Sequence, residues 1–284
     1  MTAPATAADP LAIADDRTRR RRPPKRARGG GTLPYRLLGY AGFLLLWQVM
    51  ASRVSAVIIP GPTAVLDDIS EIFTTGLFWP HFRASVVTIL VGFAIAYVLG
   101  TIVGAVMGLS RWSDAFFRDW IMSTLMMPGL VVVIIVTMIM GLGGSTAIVA
   151  VVLTAIPYAA INVTEGVQSI PKDLFDMARA FRVRRWLRIR SLLIPALAPF
   201  LLTAARYAFS LAWKTTTLAE VIGGARGIGF MMKREFQLFS VSGFLAWCFI
   251  FFGLTIFIER FVLQRLINRA FRWRPEVSLR GMDR

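Results

Sequence analysis

Residues 120–164 read WIMSTLMMPGLVVVIIVTMIMGLGGSTAIVAVVLTAIPYAAINVT and contain no Asp, Glu, Lys or Arg. A helix of about 20 apolar residues crosses the hydrocarbon core of a bilayer, so this stretch is long enough for two crossings. Pro128 lacks the amide hydrogen that an internal helical residue donates, and the glycines of GLGGS at 141–145 permit a sharp reversal. The stretch therefore predicts helices that lie in a membrane.

The composition of the whole chain supports a membrane protein. Of the 284 residues, 56% are hydrophobic and 17% are charged, whereas soluble domains average about 25% charged residues. A single cysteine, Cys248, and a single histidine, His81, leave too few soft ligands for a zinc, haem or iron–sulfur site. In an apolar chain the net charge of +16 favours contact with anionic lipid over nucleic acid.

The chain divides into a basic tail and an apolar remainder. Residues 1–31 are rich in Ala, Pro, Arg and Gly and predict a disordered tail, whereas residues 32–284 predict the transmembrane domain. Six stretches are long and apolar enough to span a bilayer, at about 35–52, 84–109, 120–140, 145–164, 191–213 and 240–260. The fold class that we predict is an all-α polytopic bundle of about six transmembrane helices.

Lysine and arginine in the connecting segments predict the orientation. Residues 1–36 carry a net charge of +6, and residues 165–190 and 259–284 carry +4 each. Residues 52–83 carry −1 and residues 212–240 carry +2. Because positively charged loops stay in the cytoplasm, we expect a cell (inner) membrane protein with both termini on the cytoplasmic side.

One predicted helix has a face of small residues. Gly100, Gly104 and Gly108 recur every four residues and so lie on the same side of the helix. Glycines at this spacing let the backbones of neighbouring helices approach closely. We expect them to serve packing within one bundle rather than a special dimer contact.

The longest loop on the predicted cytoplasmic side, Ser169 to Pro195, predicts a short amphipathic helix. Pro171 suits a first helical turn and Asp173 suits the positive end of the helix dipole. The loop has an apolar stripe of Leu174, Phe175, Ala178 and Phe181, and a basic surface of Arg179, Arg182, Arg184 and Arg185. From periodicity alone, this helix either lies against lipid headgroups or enters a groove on a cytoplasmic protein.

DMARAFRVRRWLRIRSLLIP, residues 176–195, resembles the cytoplasmic loop of permease subunits of binding-protein-dependent ABC importers. In that family an acidic residue and two small residues are followed by a glycine and then by a hydrophobic–proline pair. These positions are taken here by Asp176, Met177, Ala178, Arg182 and Ile194–Pro195, in that order. The resemblance favours docking to a protein over lying against lipid.

The similarity extends beyond this loop. GLGGSTAIVAVVLTAIPYAAINVTEGV at 141–167, AARYAFSLAWKTTTLAEVIGGARGIGFMM at 204–232 and RWRPE at 272–276 resemble the nitrate, sulfonate, taurine and bicarbonate branch of these permeases. The resemblance covers about residues 80–276. It implies a type I ABC importer permease, with a family-like core at about 80–270 and a coupling helix at about 171–182.

The resemblance also implies partners. A cytoplasmic ATP-binding subunit would dock on the loop, a solute-binding protein would dock outside, and the permease would form a homodimer in the lipid bilayer. The chain itself would be no enzyme and would bind no cofactor, because ATP is used by the partner and G-x-x-x-x-G-K-[ST] is absent here. The residues implied in coupling are Pro171, Asp173, Leu174, Phe175, Asp176, Ala178, Arg179, Phe181, Arg182 and Pro195.

Several polar residues near the spans have more than one interpretation. Arg206 lies within a predicted span, where a cation either lines the path of an anionic solute or has a structural role. Lys214 and Glu220 predict a structural pair. The glycine-rich GGARGIG that follows predicts a re-entrant or surface loop, since no strand precedes it. His81, beside Trp79 and Pro80, predicts an interfacial anchor rather than a catalytic group.

Two other transport functions remain open at this point. An ion-coupled carrier needs acidic or histidine relays inside its spans, and the six stretches contain almost none. An importer of an aromatic vitamin precursor fits the resemblance as well as one of nitrate, sulfonates, taurine or bicarbonate does. We therefore expect an ATP-driven importer permease that moves a small, anionic solute by alternating access.

Overall fold

The computed structural model describes residues 32–55, 57–263 and 265, and the tail predicted at 1–31 lies outside them. The regular secondary structure of the described residues is helical. The helices are α1 (Thr32–Arg53), α2 (Pro62–Thr74), α3 (Phe78–Leu109), α4 (Arg111–Met126), α5 (Gly129–Met140), α6 (Gly144–Gln168), α7 (Lys172–Ala180), α8 (Arg185–Arg188), α9 (Ile194–Gly223), α10 (Ile228–Gln237) and α11 (Val241–Phe257). Short π-helical segments, Ile189–Leu193 and Ile258–Leu263, precede α9 and follow α11.

The chain divides into two compact units, residues 1–49 and 50–284. Helix α1 lies almost entirely in the first unit and has 22 residues. The helices from α2 to α11 belong to the second unit. The predicted family core therefore lies in the second unit.

Four helical stretches in the described residues are long and apolar enough to cross a membrane: Phe78–Leu109, Gly144–Gln168, Arg185–Gly223 and Val241–Phe261. The predicted span at 35–52 forms α1, which is not among them. The all-helical bundle is confirmed, but the count of six spans is not.

The predicted span at 120–140 is not one continuous helix, because two helices meet there at a sharp bend. Helix α4 ends at Met126, α5 begins at Gly129, and their axes differ in direction by 100°. Pro128 lies at the break in an extended conformation and is the N-cap of α5. The pair is either a broken span, which brings the number of crossings to five, or a re-entrant loop.

The centre of the second unit is the contact of α3, α6 and α9. A Cβ atom added to Gly100 would lie 2.6 Å from the Cβ of Ala159, and one added to Gly108 would lie 2.5 Å from the Cβ of Val167. Both positions therefore need glycine for α3 to lie against α6 at this distance. The predicted glycine packing within the bundle is confirmed.

Alanines extend the same close packing from α6 to α9. Ala155 and Ala159 of α6, and Ala204 and Ala208 of α9, are completely buried in one apolar cluster. Because small side chains bring the two backbones close together, α6 and α9 form a tightly packed pair. The loop that carries α7 joins this pair, so α7 is attached to two of the three helices at the centre of the unit.

Candidate functional site

The predicted amphipathic helix forms at the end of α6. Helix α7 covers Lys172–Ala180, with Pro171 as its N-cap and Phe181 as its C-cap. Asp173 lies in the first turn and Arg179 in the last, which is the arrangement of charges that the helix dipole favours. The structure thus places the predicted coupling residues from Pro171 to Arg182 in one short helix and its following turn, whereas Pro195 lies farther on, in the first turn of α9.

The apolar side chains of α7 divide between two directions. Leu174 packs against the apolar cluster of α6 and α9, and Ala178 is buried. Met177 and Phe181, by contrast, are 51% and 78% exposed. Of the predicted stripe, Leu174 packs against the bundle and Ala178 is buried, while Phe181, together with Met177 outside the stripe, leaves an apolar surface open.

Arg182 closes α7 in a conformation that favours glycine. Its φ is +50°, in the left-handed region. The Arg182 amide donates to the carbonyl of Arg179 at 2.9 Å, and the Val183 amide donates to the carbonyl of Ala178 at 3.0 Å. These two bonds make a Schellman turn with Arg182 at the position that glycine usually takes. The turn thus forms even though arginine replaces the glycine of the family pattern.

Arg206 forms a partly exposed ion pair with a residue of the last described span. One of its guanidinium nitrogens, Nη2, lies 3.8 Å from Oε1 of Glu259, which follows α11. Both residues lie within stretches that can cross a membrane, where a charge needs a partner or water. The pair joins α9 to the end of the last described span.

Glu220 lies near the opposite end of α9 from α7 and is buried. Its side chain is 3% exposed. The Ser85 hydroxyl donates to it, with Oγ 2.7 Å from Oε1 and 2.9 Å from Oε2, and the Gly229 amide donates to Oε2 at 2.9 Å. The predicted pair of Glu220 with Lys214 is wrong, because Glu220 faces α3 and α10, and its bonding partners there are a hydroxyl and a backbone amide.

Three side chains bind the beginning of α10. The Gly227 amide donates to Nδ1 of His81 at 3.2 Å, and the Ile228 amide donates to Oγ of Ser85 at 2.9 Å. With the Gly229 bond to Glu220, these are the first amides of α10, which its own helix cannot satisfy. His81, Ser85 and Glu220 are named the Glu220 cluster below. His81 thus has a defined hydrogen-bonding role beyond interfacial anchoring. Of GGARGIG at 223–229, only residues 224–227 form the loop between α9 and α10.

Glycine at 227 is needed for this arrangement. Its φ is +120°, and a Cβ atom there would collide with the carboxyl group of Glu220. His81 also stacks on Phe230, with ring centroids 5.9 Å apart. A signal for the cluster was present in the sequence, since His81 and Ser85 are four residues apart and hence on one face of α3.

The family of the chain follows from a comparison with known proteins. The family described as "binding-protein-dependent transport system inner membrane component" matches residues 96–273, a range that includes α7 and Glu220. The chain belongs to this family. The protein is therefore an inner membrane component of a transport system, and its family is one of transport permeases rather than enzymes.

Two relatives indicate the branch of the family to which the permease belongs. The bicarbonate transport system permease protein CmpB of Synechococcus elongatus is 30% identical over 248 residues, which cover 82% of this chain and 88% of that protein. The putative aliphatic sulfonates transport permease protein SsuC of Bacillus subtilis is 25% identical over 241 residues, which cover 84% and 87%. The predicted nitrate, sulfonate and bicarbonate branch of ABC permeases is confirmed.

A solved structure supports the fold of the permease. One chain of the MetNI methionine ABC transporter, in an inward-facing conformation, superposes with a TM-score of 0.60 at 19% identity. The match covers 69% of this permease and 99% of that chain. The predicted fold, that of an ABC importer permease, is confirmed.

Proposed function

We propose that this permease is the membrane subunit of an ATP-driven importer that moves bicarbonate or a sulfonate by alternating access. The observation that carries the proposal is the division of α7 into an attached face and an open face. Leu174 packs against the apolar cluster of α6 and α9 and Ala178 is buried, whereas Met177 and Phe181 are exposed. The names of the two relatives support the choice of solute.

The two faces of α7 suggest how movement of an ATP-binding subunit is transmitted to the bundle. A cytoplasmic ATP-binding subunit takes Met177 and Phe181 into a groove, in the way that apolar residues of amphipathic helices bind partner proteins. When nucleotide closes two such subunits, α7 moves, and its contacts through Leu174 carry the movement to α6 and α9. A homodimer of the permease encloses one path, and a solute-binding protein delivers the solute from the other side.

Capture of the ATP-binding subunit tests this docking surface. The permease with M177E and F181E together is co-expressed with the ATP-binding subunit of the same importer and purified through the permease. The matched control is F236E with F239E, two exposed phenylalanines at the opposite end of the unit. We expect the α7 variant to lose the ATP-binding subunit and ATP-dependent uptake, because charge replaces the docking apolar surface, while the control variant still captures the subunit.

Equal capture by wild type and the α7 variant, at equal expression, would refute the docking surface. Uptake that continues without any ATP-binding subunit and follows an ion gradient would instead establish the ion-coupled carrier. The solute is identified separately, by titrating the purified solute-binding protein with bicarbonate, nitrate, taurine and aliphatic sulfonates.

Arg206 is the residue that we propose for the anion path. Its partner Glu259 provides a test that separates attraction of the solute from structural support. We expect R206Q to reduce uptake at least tenfold at normal expression, whereas E259Q keeps uptake, because it frees the cation without removing it. If both variants lose uptake and assembly equally, the ion pair is structural and Arg206 is not a path residue. The measurement is uptake per molecule of assembled transporter.

A further inference from the structure

Residues 182–190, RVRRWLRIR, form a positively charged surface that α7 does not use; they are called the basic segment here. The segment contains five arginines and no acidic residue, and the next acidic residue after Asp176 is Glu220. Arg182, Arg184, Arg185 and Arg190 are exposed. Within the described ranges, the ion pairs are Asp114–Arg118, Asp176–Arg179 and Arg206–Glu259, so none compensates the basic segment.

The basic segment begins a helix that is longer than the membrane is thick. The membrane-crossing stretch Arg185–Gly223 has 39 residues. At a rise of 1.5 Å per residue that is about 58 Å, against about 30 Å of hydrocarbon. The charged beginning therefore projects beyond the hydrocarbon, where the headgroups lie. Trp186, which is 68% exposed, has the amphipathic ring that is typical of this depth.

The arginine side chains of the basic segment are suited to bind a phosphate group. A guanidinium group is a planar fork that donates two parallel hydrogen bonds to a phosphate group. Nε of Arg188 is shielded from solvent and has no hydrogen-bond acceptor within the described part of the chain. The chain thus leaves one donor of the half-buried Arg188 unused.

We propose that the basic segment binds the phosphate headgroups of anionic phospholipids. The membrane is the occupant that the position favours, because the segment starts the membrane-crossing helix itself, whereas the open apolar surface for a protein lies on α7. The Schellman turn at Arg182 joins the two rigidly. If the proposed function holds, bound headgroups fix the position of α7 relative to the membrane, so that coupling to the ATP-binding subunit responds to the anionic lipid content.

Lipid titration of the full permease, without any partner, tests the proposal independently of the proposed function. The detergent-purified protein is titrated with phosphatidylglycerol, and with phosphatidylcholine as the neutral probe, while native mass spectrometry counts bound lipids. The variant is R185Q with R188Q, and the matched control is R226Q with R234Q, two exposed arginines near the beginning and end of α10. At about 1 kcal/mol for each arginine near an anionic surface, we expect about 30-fold weaker phosphatidylglycerol binding in the first variant alone.

Loss of phosphatidylglycerol binding in R185Q/R188Q, but not in R226Q/R234Q, supports the proposed site. Equal affinity in both double variants, or equal binding of both lipids by wild type, overturns it. Displacement of the lipid by millimolar inorganic phosphate would show a site for a free anion and overturn the lipid assignment. If phosphatidylglycerol does not bind and the segment is protected only when the ATP-binding subunit is added, it is a protein interface. If R185Q/R188Q does not fold, R190Q replaces it as the test variant. We expect R190Q to bind phosphatidylglycerol about fivefold more weakly than wild type.

Discussion

Helices α7 and α10 are both short and both end in the same turn, but they begin in different ways. Arg182 after α7 has a φ of +50° and Phe239 after α10 has a φ of +54°. After α10 the Ser240 amide donates to the carbonyl of Glu235 at 3.0 Å, as the Val183 amide does to that of Ala178. At its beginning, α7 has Pro171 and no side-chain cap, whereas α10 is bound by the Glu220 cluster.

This difference shows that the two helices are held by different forces. The beginning of α10 is fixed by buried side chains of α3 and α9, so α10 moves with them. Asp176 and Arg179 of α7 are exposed, whereas Leu174 packs against the bundle and Ala178 is buried. Packing of a few apolar atoms permits small rotations, whereas directional bonds to buried groups do not. The proposed coupling role of α7 is compatible with the first kind of attachment.

The largest effect expected from this comparison is that of E220A. The substitution removes a buried acceptor and leaves the Ser85 hydroxyl and the Gly229 amide without their partner, so we expect about 3 kcal/mol of destabilisation. D176A is the matched control at α7, since its ion pair with Arg179 is exposed and contributes at most about 1 kcal/mol. Thermal unfolding in detergent measures both, and equal shifts in the two variants would contradict the comparison.

A smaller loss is expected from S85A. The Ser85 hydroxyl donates to Glu220 and accepts from the Ile228 amide, so alanine leaves one buried acceptor and one buried donor with fewer bonds. We expect about 2 kcal/mol of destabilisation. The neighbouring T88A is the control, because Thr88 bonds only within its own helix, to the carbonyl of Ala84. Amide hydrogen exchange should rise in α10 with S85A and not with T88A; unchanged exchange in α10 would show that Ser85 does not hold it.

The sequence predicts the bundle because its signals are local. Charge-free runs, the glycine spacing of α3 and the break at Pro128 each depend on neighbouring residues, and each has a direct physical effect on one helix or one contact. The number of spans is harder to predict. Apolar length does not reveal that α4 and α5 meet at 100°, since a bend depends on what the rest of the bundle leaves room for.

The contact between Ser85 and Glu220 could not be predicted from neighbouring residues in the sequence, for a different reason. Ser85 and Glu220 are 135 residues apart in the chain, and nothing near Glu220 indicates that α3 lies opposite. Lys214, the basic residue of α9 nearest to Glu220, lies six residues from it, which places the two on different sides of the helix. The loop that resembles the family pattern could be recognised because that pattern is contained in 20 successive residues, from Asp176 to Pro195.

The smallest effect expected concerns the turns that the two helices share. Glycine at 182 or 239 relieves the cost of left-handed backbone, and the greater freedom of glycine in the unfolded chain offsets part of that gain. We therefore expect R182G and F239G each to stabilise by about 0.5 kcal/mol, or about 1–2 °C in unfolding temperature. R182A is the control, since alanine keeps the unfavourable φ and should give no gain. Because relief of the unfavourable φ is local, the gain in stability should be equal at both turns, although the two helices begin differently. A loss of stability in R182G would show that the arginine side chain stabilises the turn through contacts of its own.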